Sequence, residues 1–370
     1  MATAPVTRRR FITHLSALSA LAMTPRLSHA VDRPVSGKKL GVTLVGLGNY
    51  SRGQLGPALK ETKYCQLAGV VTGDPAKGAK WAKEYGFPAT SVYGYDTMAR
   101  LADNPAIDIV YVVTPNGLHA EHCIAAAKAG KHVICEKPMA NTVAECDAII
   151  AACRSTGVQL SIGYRLFFDP YHQELMRLAK DPAFGPVCKM EGDFGFVMNN
   201  RQWRATKKLA GGGPLMDLGV YLIQGGCMAA GGVAPLAVTA RFEPKTRPDF
   251  FVDVEEKISW SMEFPGGATC RAVTGYNHNR NQFRVEGPGG WMEFKQNAFM
   301  YHGLEVETNR GPLRYGRTNQ QALQMDGFAQ CLLTGRPTPV PGEMGRRDLT
   351  VVEAIYASAE AGGKRVEVKG

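Results

Sequence analysis

The chain predicts an α/β fold: an N-terminal doubly wound parallel sheet, then an α+β domain on a large, mainly antiparallel sheet. Three observations carry this. From Leu40 to Tyr164, short apolar runs alternate with helical segments through short connections, the pattern of a parallel sheet with helices on both faces. A glycine turn, Gly46 to Gly53 (GLGNYSRG), separates the first strand from the first helix. After about residue 165, β-rich segments divided by Pro265-Gly266-Gly267 and Pro288-Gly289-Gly290 take over.

In chain order, the first 30 residues read as an export signal. Arg8 and Arg9 precede Phe11, a modest apolar stretch runs from Leu15 to Met23, and "LSHA" ends at Ala30. That stretch is far short of the roughly 20 residues that span a bilayer, so no membrane anchor is expected. The double arginine resembles a twin-arginine signal, whose machinery carries folded proteins, and places the mature chain in the periplasm. Residues 31–38 form a polar linker, 39–163 the first domain and 164–370 the second. Strands are expected at LGVTLVGLG, LAGVV, DIVYVVT, HVICE and VQLSIGY. Helices are expected from about Gln54, around PAKGAKWAKEYG, at HAEHCIAAAKAG and from Val143 to Ser155. The later strands are AVTARF, EKISWSMEF, ATCRAVTGY, FRVEGPGGWMEF and LEVETN, with helices near 214–229, 319–334 and 345–361.

Composition excludes some functions. The net charge of +10 includes four leader arginines; without them 39 basic residues face 33 acidic ones. The basic runs are short and lack interleaved aromatics, which argues against a nucleic-acid partner. Nine cysteines include no C-x-x-C, so neither a disulfide framework nor a metal site is expected. His119 and His122 have a helical spacing of three, but no acids complete a metal site.

The glycine turn suits a Rossmann dinucleotide site. Gly46 permits the tight turn, and Gly48 lets backbone N–H groups approach a pyrophosphate at the helix N-terminus. Ser51 holds the third small position. The second strand ends Thr72-Gly73-Asp74, with Gly73 where an NAD site usually carries an acid. Thr72 and Lys77 can bind a 2′-phosphate, which favours NADP, while Asp74, one residue late, leaves NAD possible.

GLGNY, VVTPNGLHAEH, EKPMANT, GYR, QWR and GGGPLMDLGVY, in this order, resemble the Gfo/Idh/MocA oxidoreductases, most closely the bacterial glucose–fructose oxidoreductase group. The resemblance runs from Leu40 to the EAIYASAEAGGKRVEV tail. It implies a cofactor surface of Gly46, Leu47, Gly48, Asn49, Tyr50, Thr72, Gly73, Lys77, Thr114, Pro115, Asn116, His119, Glu136, Lys137, Arg165, Trp203 and Arg204. Arg165 and Arg204 would pair with cofactor phosphates, or else form structural ion pairs.

The resemblance also assigns the chemistry. Lys137, at a strand end facing the cleft, hydrogen-bonds the hydroxyl under oxidation, and the bond before Pro138 is a candidate cis peptide. Asp217 and Tyr221, four apart, share a helix face. Tyr221 stands where many relatives carry histidine and is the expected general acid/base, because a neighbouring ammonium favours phenolate. Asp217 would orient the sugar or the lysine. The implied activity is oxidation of an aldose to its lactone, with a second sugar as hydride acceptor, in a homodimer or homotetramer formed through the second sheet. The alternatives are a nicotinamide-dependent glycoside hydrolase of the same superfamily and a non-catalytic sugar or cofactor sensor.

Overall fold

The run LGVTLV forms β1 (Leu40–Val45), and all six residues are buried, as a strand covered on both faces requires. The structure, a computed structural model, describes residues 37–369; the expected leader and most of the linker lie outside them. Beside β1 lie β2 (Cys65–Val71), β3 (Val92–Tyr93), β4 (Ile109–Val112), β5 (His132–Cys135) and β6 (Leu160–Ile162). All are parallel, in the order β3-β2-β1-β4-β5-β6. The order reverses between β1 and β4, so the carboxyl ends of β1, β4 and β5 open on one crevice.

Local signals set the connecting helices, α1 (Gly56–Glu61), α2 (Pro75–Tyr85), α3 (His119–Lys128) and α4 (Val143–Thr156). Asp74 caps α2 and Pro75 opens it, while Thr142 and Glu145 form a capping box on α4. The helix expected from Gln54 begins instead as a wide π turn, Ser51–Leu55, running into α1. Pro57 has no N–H to continue an α-helical ladder back into that turn. Two-residue β3 was not expected, being too short for a periodic signal.

The second sheet has nine strands: β7 (Lys189–Gly195), β8 (Ala237–Phe242), β9 (Lys257–Glu263), β10 (Thr269–Gly275), β11 (Arg280–Gly287), β12 (Gly290–Gln296), β13 (Glu305–Thr308), β14 (Gly311–Leu313) and β15 (Val366–Glu367). Their order is β14-β13-β12-β11-β7-β10-β9-β8-β15. Every pair is antiparallel except β7 with β10. The remaining helices are α5 (Pro170–Leu178), α6 (Lys207–Ala210), α7 (Val220–Ala229), α8 (Gln320–Thr334) and α9 (Gly342–Glu360). All ten residues of α7 are buried. Its close approach to the sheet needs Gly192, where an added Cβ would lie 2.4 Å from the Leu222 side chain.

A boundary at residue 163 divides the sheets but not the core. Met325, Phe328 and Ala329 of α8 share one apolar cluster with Leu44, Leu55 and Val70 of the first domain. Asp326 accepts the N–H groups of Lys63 (2.9 and 3.1 Å) and Tyr64 (2.9 Å). The helix α8 therefore returns to the first domain before α9 and β15 complete the second.

Candidate active site

At the crevice, a cavity of about 760 Å³ brings together Tyr50, Thr114, Asn116, His119, Glu136, Lys137, Arg165, Trp203, Arg204, Asp217 and Tyr221. A depression of about 780 Å³ lies elsewhere, on the outer face of the second sheet, and holds none of these groups.

Lys137 follows β5, and its bond to Pro138 is cis. The side chain points inward, 12% exposed. Its Nζ donates to the Asp217 backbone oxygen at 2.8 Å and lies 3.7 Å from Asp217 Oδ1. The same nitrogen sits 4.3 Å from the centroid of the Tyr221 ring. Asp217 stands on a π turn, Leu215–Gly219, and Tyr221 on the first turn of α7, so the spacing of four brings both to the cavity. Asp217 Oδ2 pairs with Arg204 Nε at 3.0 Å and accepts from the Tyr276 hydroxyl at 3.1 Å. Burial opposes its ionisation, yet Arg204 and Lys137 hold the carboxyl below the usual range.

The strand-end acid is differently placed. Glu136 Oε1 accepts from the Tyr111 hydroxyl at 2.7 Å, and Oε2 from the Lys137 N–H at 3.1 Å. Burial raises its pKa, opposed by these donors. Gln324 of α8 donates to Tyr111 of β4 at 2.7 Å, which ties β4, and through it Glu136, to α8.

Arg165 is 2% exposed. Its Nη1 donates to Gln320 Oε1 and to the Met300 oxygen (3.2 Å), and its Nη2 to the Phe299 oxygen (2.5 Å) and the Tyr221 hydroxyl (3.3 Å). Arg165 thus lies beside the candidate base, bonded to amide, backbone and phenol oxygens and to no carboxylate among the described residues. Arg204 faces Asp217 and lies 4.4 Å over the Trp203 ring. Tyr276, Tyr301 and Gln320 were absent from the expected set. They sit on later strands, loops and α8, where no motif marks them.

The phosphate loop fits a dinucleotide. Gly46 has φ +97°, a conformation that disfavours side chains, and an added Cβ would lie 3.1 Å from Thr114. Above Gly48 the space is open. Ser51 donates to the Gly46 oxygen at 2.6 Å and fixes the turn. Gly48, Asn49 and Tyr50 would line the pyrophosphate path, whereas the Leu47 side chain is buried in the core. At the end of β2, Gly73 and Lys77 are exposed. Asp74 Oδ1 accepts the Lys77 N–H at 3.1 Å as the α2 cap, and the residue is exposed. Asn116 donates to the Ala210 oxygen at 2.9 Å, and Pro115 precedes it in the loop after β4. His119 is buried with each ring nitrogen facing a carbonyl.

All nine cysteines are free, and only Cys188 is exposed. Among the described residues no group of three His, Cys, Asp or Glu could hold a metal ion.

Comparison with known proteins bears on the family and the fold. Residues 40–164 match the GFO/IDH/MocA oxidoreductase family with its NAD-binding Rossmann fold, and residues 172–293 match the GFO/IDH/MocA C-terminal domain. The chain is 25% identical to a D-xylose 1-dehydrogenase [NADP(+)] from Haloarcula marismortui, over 90% of this chain and 92% of that one. It is 32% identical to the trans-1,2-dihydrobenzene-1,2-diol dehydrogenase of Xenopus laevis, over 80% and 88%. Among solved structures, an aldose-aldose oxidoreductase from Caulobacter crescentus complexed with glycerol aligns with TM-score 0.86 and 42% identity, covering 89% of this chain and 100% of that one. A levoglucosan dehydrogenase in complex with NADH and levoglucosan shares the fold at TM-score 0.76 and 22% identity, over 90% and 100%. With its NAD(P)-binding Rossmann domain and its second sheet, the chain belongs to the Gfo/Idh/MocA oxidoreductases.

Proposed function

We propose that this protein is an NADP-dependent sugar oxidoreductase that oxidises an aldose at its anomeric hydroxyl to the lactone and passes the hydride to a second sugar. One observation carries the reading: Lys137, Asp217 and Tyr221 meet in a polar cavity at the strand ends that receive a dinucleotide. The likeness to an aldose-aldose oxidoreductase supports a sugar at both steps.

Bound along those strand ends, the nicotinamide supplies the hydride acceptor. Tyr221 takes the hydroxyl proton. Lys137 donates a hydrogen bond to the reacting oxygen and orients it toward Tyr221. Asp217, held by Arg204 and Tyr276, fixes the lysine and offers an acceptor to a neighbouring sugar hydroxyl. Proton removal by a positioned base contributes about 10²–10⁴ in rate. Tyr221→Phe should therefore lose turnover with aldoses by about that factor while NADP still quenches the intrinsic fluorescence. A Tyr221→Phe protein that reduces NADP at the parental rate would sink the mechanism.

The cofactor preference rests on the end of β2. Gly73 offers no carboxylate, Asp74 stands one residue late and turns one oxygen to its helix cap, and Lys77 is exposed on the following turn. Charge-assisted contacts of about 1.5–3 kcal/mol correspond to roughly 10- to 100-fold in favour of NADP. Calorimetry on Lys77→Ala should show most of that preference gone; unchanged selectivity would refute it. Export belongs to the same proposal, since a folded, cofactor-loaded enzyme suits a twin-arginine route to the periplasm. Replacing Arg8 and Arg9 by lysine should leave precursor in the cytoplasm, and efficient export of that variant would exclude the route.

A further inference from the structure

We propose that Arg165 is the positioning residue that makes Tyr221 a base, held at the phenol oxygen by Gln320 and Asp169. The inference deepens the reading above, in which Tyr221 accepts the proton.

Two cations adjoin Tyr221, and they do different things. Lys137 Nζ donates one of its three hydrogens to the Asp217 backbone oxygen and lies over the ring face, 4.3 Å from the centroid. A cation there attracts the π electrons but does not solvate the oxygen on which negative charge develops. Arg165 Nη2 does, donating to the hydroxyl at 3.3 Å.

The charge of Arg165 is also unbalanced. Among the described residues it has no carboxylate partner; its acceptors are the Gln320 amide oxygen, the Phe299 and Met300 carbonyls and the Tyr221 hydroxyl. A buried cation without a counter-ion is poorly solvated, and an anion forming beside it restores the balance. Of the ionisable groups beside it, Tyr221 is the one hydrogen-bonded to the guanidinium, whereas Tyr301 presents its ring face at 4.5 Å. A fixed donor aimed at a developing anion needs no reorganisation when the charge appears.

What fixes the guanidinium is a chain of buried polar groups. Gln320 Nε2 donates to Asp169 Oδ1 at 3.0 Å, which turns the Gln320 oxygen toward Arg165. Asp169 Oδ2 accepts from the N–H groups of Tyr171 (3.1 Å) and His172 (3.2 Å) as the cap of α5, and pairs with His172 Nδ1 at 2.9 Å. The network therefore runs from a helix cap to the phenol oxygen through Gln320 and Arg165.

The test reads Tyr221 directly. The protein is labelled with tyrosine carrying ¹³C at ring carbon ζ, the Tyr221 resonance is assigned by its loss in Tyr221→Phe, and pH is varied without substrate. Lys137, Tyr50, Tyr301, Glu136 and Asp217 with its partner Arg204 also face this hydroxyl, and all are retained in the variants. Arg165→Met should titrate Tyr221 at least about one pH unit higher than the parent, because a neighbouring cation favours the charged form. Gln320→Met keeps the guanidinium but frees it, so it should give a smaller rise in the same direction. If Arg165→Met does not fold, Gln320→Met decides. Titration as in the parent overturns the proposal, as does an Arg165→Met protein that loses NADP affinity with Tyr221 unmoved. With an active parent, the rising limb of the pH–rate profile should move by the same interval in Arg165→Met. A parent that oxidises no aldose would refute the sugar reading, and the NMR titration would still decide the role of Arg165.

Discussion

His119 shows how one side chain can join two strand ends. Its Nδ1 lies 3.0 Å from the Pro138 oxygen and its Nε2 2.8 Å from the Thr114 oxygen. Only a ring with both protons can donate to both carbonyls. Burial opposes that charge, yet the Cys135 sulfur and the two carbonyls raise the imidazole above its ordinary value. Cys135 itself stays a thiol, since burial pushes it well up, so the carbonyls are the lasting partners. A pKa raised in the folded state gives stability that is complete below the unfolded value of about 6.5 and is lost as pH rises through the folded one. The melting temperature of His119→Gln should fall further below the parent at pH 5.5 than at pH 9; a gap that ignores pH would mean a neutral ring. The sequence revealed the site unevenly at this scale. Lys137 was legible because a charge at the end of an apolar run needs a cleft. The place of Arg165 beside Tyr221 was not legible, because its partner Gln320 lies 155 positions away and only the fold brings them together.

At the scale of elements, the loop that delivers Asp217 is braced from below. Glu255 Oε2 accepts the Gly213 N–H at 2.9 Å, while Oε1 accepts the Leu215 N–H at 3.0 Å and the Tyr356 hydroxyl at 3.0 Å. Gly213 has to be glycine, since an added Cβ would fall 2.2 Å from the Glu255 backbone oxygen. Burial raises the Glu255 pKa, opposed by these donors. Glu255→Ala would leave two buried N–H groups without partners, at about 1–3 kcal/mol each, so urea unfolding should show a loss of about 2–6 kcal/mol. A loss under about 1 kcal/mol would mean that the loop holds itself. Legibility at this scale followed period. EKISWSMEF yielded β9, whose burial alternates strictly, because alternation survives when one face is buried. KMEGDFG, the central β7, was missed because its acids and glycines hide the pattern.

Across the whole molecule, the outer face of the second sheet stands apart from the chemistry. Glu191, Asp193 and Glu293 lie there among Arg241, Arg271 and Arg284, with Gly192, Ala240 and Ala272 between them. We propose that a second copy of this chain covers it. A two-fold axis brings a patch against itself, and a surface carrying both signs can pair its charges with those of its own copy. Sedimentation should find the parent as a dimer or tetramer and the double variant Arg241→Glu, Arg271→Glu shifted to smaller species. A monomeric parent would dispose of the idea. The doubly wound domain and the switch from parallel to mainly antiparallel pairing were both foreseeable from segment order, whereas the shared core was not. Nothing in the periodicity of α8 says which sheet it will meet.

That return of α8 governs how the protein can be recombined with its relatives. A crossover at residue 164, where the sheets divide, would set Met325, Phe328 and Ala329 against a foreign surface. It would also take the Lys63 and Tyr64 N–H groups from Asp326. Gln320 reaches Arg165, Gln321 donates to the Tyr50 hydroxyl at 3.4 Å, and Gln324 donates to Tyr111 at 2.7 Å. A donor domain with another cofactor preference therefore has to bring its own counterpart of Gln320–Thr334 as well. The transferable form of the first domain in this chain is two separated segments, and a graft of the first alone inherits a broken floor.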